Sequence, residues 1–162
     1  RDGVPGNVRE KAIFWIGQHP SADNAQFLRG LFTRLRDGDL KEKVLFSLGQ
    51  MRGMGNERWL LGVAADPGQS MEVRKKALFW AGQAGVPVAE LAGVYDRVRD
   101  REMREQAIFA LSQRMHEPAA VDKLIDIARR EPDGELRKKA IFWLGQSRDP
   151  RAVRALSDLI NQ

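Results

Sequence analysis

Apolar and polar positions along the chain fall into a pattern that returns every 30 to 33 residues. The pattern is carried by an eleven-residue motif: VREKAIFWIGQ (8–18), LKEKVLFSLGQ (40–50), VRKKALFWAGQ (73–83), MREQAIFALSQ (103–113) and LRKKAIFWLGQ (136–146). At 100° per residue, motif positions 1, 5 and 9 share an arc of about 80°, which predicts an amphipathic helix in each copy. Val73, Ala77 and Ala81 form that arc in the third copy, and Leu136, Ala140 and Leu144 in the fifth. The small residue at position 5 lets a partner helix approach closely. Positions 6 and 8 flank the arc and are expected to meet neighbouring repeats.

Between the motifs lie five more segments with apolar residues at helical spacing: 22–36, 56–65, 87–97, 119–130 and 150–161. Leu28, Leu60, Leu91, Leu124 and Leu156 keep an independent register at steps of 32, 31, 33 and 32. Turn residues such as DGD, DPGQS, EPDG and RDP separate the two helix types, and strand-like alternation is missing. A fixed period of this length is the signature of a solenoid of stacked helical repeats. The expected fold is all-α, one domain over 1–162, with inner-then-outer units at about 8–36, 40–65, 73–98, 103–130 and 136–161. Apolar edges near Ile13 and Trp15, together with a start lacking Met, suggest a fragment of a longer chain.

The residues Val8, Arg9, Ala12, Ile16 and Gly17 and their equivalents give a consensus V-R-x-x-A-x-x-x-L-G-Q, which resembles the HEAT-repeat family. The nearest form is the short, bacterial phycobilisome-lyase type. The fourth copy departs with Gln106 and Ser112, and the second with Lys41 and Val44. The resemblance implies a right-handed superhelix with the motif helices on its concave side. It also implies that the position-2 arginines Arg9, Arg74, Arg104 and Arg137 ladder with turn acids of adjacent repeats. Fold of this kind says little about chemistry.

Position 7 is always Phe (Phe14, Phe46, Phe79, Phe109, Phe142) and position 11 always Gln (Gln18, Gln50, Gln83, Gln113, Gln146). The face opposite the core arc is normally polar, so five phenylalanines there need a reason. Either the rings pack into the seams between inner helices, or they make an exposed apolar strip that receives a peptide or helix. A ring can do both.

Composition sharpens one point. The formal charge is +5, but the motifs hold eleven Lys/Arg against three Glu, net +8, leaving sixteen against nineteen elsewhere, net −3. Cations in the first turn oppose the helix dipole at roughly 0.3–1 kcal/mol each when exposed. Asp39, Glu72, Glu102 and Glu135, just ahead of the motifs, are candidates to compensate. Lys11, Lys43, Lys76 and Lys139 at position 4 are expected to stay solvated or to meet an acidic ligand.

Catalytic signatures do not appear. His19 and His116 stand alone in turns, no cysteine occurs, and no metal-ligand spacing, phosphate loop or nucleophile motif is present. GNERW (55–59) and RDREMRE (99–105) read as solvated turns and helix ends. Asp122 and Asp126 read as an outer acidic pair without partners. Neither a cofactor nor a metal is expected. No run of eighteen apolar residues is present to span a membrane; the sequence leaves the compartment open between cytoplasm and periplasm.

The leading expectation is a non-catalytic scaffold that binds a partner protein, or another domain of its own parent chain, on the concave face. Its binding residues would be the five Phe, the five Gln and the four position-4 Lys. Nucleic-acid binding through the basic inner helices is the alternative. Lyase chemistry is suggested only by the name of the repeat type.

Overall fold

The computed structural model describes residues 3–162, and ten α-helices with no strands make up the described part. They are α1 (Gly6–Gly17), α2 (Ala22–Arg34), α3 (Gly38–Gln50), α4 (Asn56–Ala65), α5 (Met71–Gln83), α6 (Val88–Arg97), α7 (Arg101–Ser112), α8 (Pro118–Arg130), α9 (Gly134–Gln146) and α10 (Pro150–Ile160). The chain is an all-α helical-repeat protein. Odd-numbered helices carry the motif and even-numbered helices the intervening segments.

Local chemistry sets the helix starts. Ser21, Asp37, Ser70, Asp133 and Asp149 each accept a backbone N–H of the first turn with their side chains. Pro118 and Pro150 occupy first-turn positions that need no N–H partner. In α3, α5 and α9 the capping residue lies three positions ahead of the motif, so these helices begin earlier than the repeat does. Between α3 and α4 the chain reverses through Gly53 (φ 78°) and Gly55 (φ 73°), a left-handed conformation costly for other residues.

The helices form two compact units divided between Val86 and Pro87. In the first, α1, α3 and α5 pack side by side, with α2 and α4 as a second layer. In the second, α7 and α9 are adjacent, and α6, α8 and α10 form the other layer. Positions 1, 5 and 9 are buried in four of the five motif helices. Their closest partner is the preceding outer helix: α5 packs far more extensively on α4 than α3 does, and α9 more on α8 than on α10. No outer helix precedes α1 among the described residues, and there Val8 and Ala12 are exposed.

Two expectations change here. Ile13 does not lie on an open apolar edge; it is buried, because position 6 faces the following inner helix, and Ile141 in α9 is correspondingly less covered. Trp15, at position 8, faces the other way and is 60% exposed. GNERW is not a solvated turn. Asn56 is fully buried, donates to the carbonyls of Leu48 and Met51, and accepts from Arg29 of α2 at 2.6 Å.

Candidate functional site

Positions 3, 4, 7 and 11 of the motif helices share the face turned away from the outer layer. The five glutamines and Lys11, Lys43, Lys76 and Lys139 are all exposed there. The phenylalanines divide: Phe14 (41%) and Phe142 (57%) are exposed, whereas Phe46, Phe79 and Phe109 are half-buried.

Tryptophan at position 8 of the following inner helix covers part of the Phe46 and Phe109 rings. In the first unit Trp80 makes edge-to-face contacts with Phe46 of the preceding helix (centroids 5.1 Å apart) and with its own neighbour Phe79 (4.9 Å). In the second, Trp143 meets Phe109 (6.0 Å) and Phe142 (5.0 Å) in the same way. Aromatic rings prefer this arrangement because the positive edge of one meets the negative face of the other. Seam packing and exposure were both open from the sequence, and Phe46 and Phe109 combine them.

Room for the indole comes from position 10. A Cβ added at Gly49 would lie 2.9 Å from the Trp80 Cβ, and one added at Gly17 would lie 2.6 Å from the Ser47 Cβ. Inner helices therefore touch where one offers glycine and the next its position-8 residue. Ser112 takes the glycine's place ahead of Trp143, and that aromatic pair is the wider one.

In the second copy position 8 is Ser47, buried and donating to the carbonyl of Ile13 at 3.3 Å. A cleft of about 600 Å³ opens above it, lined by Phe14, Phe46, Ser47 and Trp80 together with Lys11, Lys43 and Lys76 and the acids Glu10 and Glu42. Lys43 is not merely solvated: its ammonium lies 3.0 Å from Glu10 of the neighbouring inner helix. The position-3 cations Lys75 and Lys138 pair with the first-turn acids Glu72 and Glu135 (3.7 and 3.2 Å).

The position-2 arginines make backbone contacts beyond the expected ladder. Arg74 Nε donates to the Ala64 carbonyl (2.9 Å), Arg104 Nε to Val98 (2.9 Å) and Arg137 Nε to Ala128 (3.0 Å). Each acceptor lies at the C-terminal end of the preceding outer helix, where carbonyls lack intrahelical partners and a cation is favoured by the dipole. Arg104 also reaches a turn acid, Glu131, at 3.2 Å.

Several charged groups elsewhere are engaged in structure. Tyr95 donates its hydroxyl to the buried Glu131; burial first, and then that carboxylate, push its ionisation well above the usual tyrosine value. Asp122 and Asp126 do have partners: Arg151 of α10 reaches Asp122 at 2.6 Å, and Arg130 reaches Asp126 at 3.3 Å. In RDREMRE, Met103 is fully buried and Arg101 pairs with Asp133 at 2.7 Å. His19 Nδ1 donates to the Trp15 carbonyl at 2.9 Å, and His116 lies exposed near Glu117. No cluster of three or more His, Cys, Asp or Glu suited to a metal ion occurs among the described residues. No helix among them is long and apolar enough to cross a membrane.

The family model described as PBS lyase HEAT-like repeat matches residues 136–162, which span α9 and α10. That match supports a HEAT-repeat assignment, the resemblance carried by the motif itself. Repeats of this type typically mediate protein interactions and are generally non-catalytic. A comparison with curated proteins gave no match.

Proposed function

We propose that this chain is a non-catalytic scaffold that holds a segment of a partner protein against the inner-helix face. One observation carries the reading: an apolar cleft with three aromatic walls, Phe14, Phe46 and Trp80, on a face where amphipathic design calls for polar side chains. The exposed Lys and Gln around the rings would orient the bound segment, and the aromatic side chains would supply most of the affinity. The Glu10–Lys43 pair lowers the cationic character of that face and favours protein over nucleic acid as partner.

Peptides selected on the immobilised chain from a displayed random library, then measured by fluorescence anisotropy, test the reading. Phe14→Ser should weaken them about tenfold, a loss of ~1.4 kcal/mol, with little change in melting temperature because the Phe14 ring is already 41% exposed. Affinity should fall only modestly with salt, as expected where few exposed charges are engaged. A steep linear fall of log affinity with log salt, together with binding of oligonucleotides, would move the assignment to nucleic acid. Failure to select any peptide overturns the scaffold reading.

A further inference from the structure

Position 8 of the motif is Trp in the first, third and fifth copies, Ser47 in the second and Ala110 in the fourth. Trp80 and Trp143 each follow another inner helix in their own unit, and each wedges an indole against the Phe of that helix. Ser47 follows α1 in the same way but brings no ring. Its hydroxyl turns back to the Ile13 carbonyl, and Phe14 keeps only the edge of its own neighbour Trp15, 5.3 Å away. The cleft described above lies on this spot, with Ser47 and Phe14 both in its lining. Its volume of about 600 Å³ falls within the ~300–1,000 Å³ typical of sites that enclose a ligand group.

Resting on the interaction reading above, we infer that this cleft receives an aromatic side chain, best an indole, from a partner segment that carries a carboxylate beside it. The chain itself supplies the template for the ring: the Phe46–Trp80 pair, one repeat further on, shows the edge-to-face contact that the walls are set to make. Charge complementarity supplies the carboxylate. Three Lys and two Glu line the cleft. Lys43 is joined to Glu10, Lys11 and Lys76 make no ion pair among the described residues, and Glu42 is the opposing acid. Those cations also suit the π-face of a bound ring, as Lys41 already does 5.1 Å from the Phe32 centroid.

The test is a titration of the isotope-labelled 162-residue chain with N-acetyl-Glu-Trp-Glu-amide, followed by NMR. The backbone amides of Phe14, Gly17 and Ser47 should shift. Replacing the peptide's Trp by Ala should abolish the shifts, and replacing both Glu by Lys should weaken binding about tenfold. Ser47→Trp should raise the melting temperature and eliminate peptide binding, because the chain then fills its own cleft. Should that variant fail to fold, Phe14→Ala serves: it removes one wall from an exposed site and should weaken the Trp peptide about tenfold with the melting temperature kept. Unmoved amides, equal binding of the Ala peptide, or a Ser47→Trp chain that folds and still binds would overturn the inference. So would a dimer of the wild-type chain that Ser47→Trp dissociates, since the occupant would then be a second copy's exposed Trp15. Library peptides that bind this face without an aromatic residue overturn the indole assignment and leave the scaffold reading standing; an absence of any selected peptide removes both.

Discussion

A glycine in a helix interior costs roughly 0.5–1 kcal/mol relative to alanine, so its repeated use at motif position 10 requires an offsetting gain. Gly49 supplies one: its missing Cβ leaves room for the root of the Trp80 side chain, with Cβ, Cδ2 and Cε3 all within 3.0 Å of where that carbon would sit. Nothing lies within 4 Å of the same point at Gly145, which occupies position 10 of the last motif. The two sites thus separate packing from propensity inside one molecule. Gly49→Ala should destabilise by about 1–3 kcal/mol, because the root of a side chain and its helix must move. Gly145→Ala should stabilise by up to ~1 kcal/mol through helix propensity alone. Urea denaturation of the two variants checks both signs; equal effects would mean that glycine is not required by the inner-helix contact.

Between helices, the position-2 arginine acts as a clamp on the outer helix that precedes it. Arg74 is 7% exposed and its Nε donates to the Ala64 carbonyl near the end of α4. Truncation to alanine leaves a buried carbonyl without that donor and should cost about 1–3 kcal/mol. Lysine should not rescue it, since an ammonium lacks the planar donor set of the guanidinium. Arg9, exposed on α1, should tolerate the same truncation within about 0.5 kcal/mol. Thermal melts of Arg74→Ala, Arg74→Lys and Arg9→Ala decide the matter, and a loss at Arg9 equal to that at Arg74 would contradict the clamp. The contrast also marks what can be read from sequence. Helix faces were legible because a 3.6-residue period assigns Val73, Ala77 and Ala81 to one arc whatever they touch. Partners across helices were not: only the placement of α4 against α5 brings the Ala64 carbonyl within reach of the Arg74 guanidinium. Asn56 was misread as solvated for the same reason, because the carbonyls it satisfies belong to α3 and its turn. For the candidate site, the Phe and Gln positions were visible in the repeat. The cleft was not, although its signal, Ser47 in a column otherwise held by Trp or Ala, stands in the sequence.

Charge acts on the molecule as a whole, and its balance tips with pH. At neutrality 27 Lys and Arg stand against 22 Asp and Glu. Acidification neutralises the acids and leaves the cations to repel one another. Specific linkage adds to this. The Asp149 carboxyl is held below its ordinary value of 3.8 by the Arg151 side chain and then the Arg151 N–H. At Asp133, desolvation pulls upward but is outweighed by Arg101 and by the N–H groups of Glu135 and Leu136. Both groups therefore bind protons more weakly folded than unfolded. Their contribution is complete above the ordinary carboxylate value and is lost as pH falls through the folded one. Wild-type melting temperature should drop between about pH 5 and about pH 2. In the double variant Asp133→Asn, Asp149→Asn the caps persist, since an amide oxygen still accepts the N–H, but the titration does not. Its melting temperature should start lower at pH 7 and fall less on acidification. Curves that run parallel over the whole range would assign the acid loss to general repulsion, and added salt at low pH should then restore most of it, because exposed charges are screened within about 10 Å at 0.1 M.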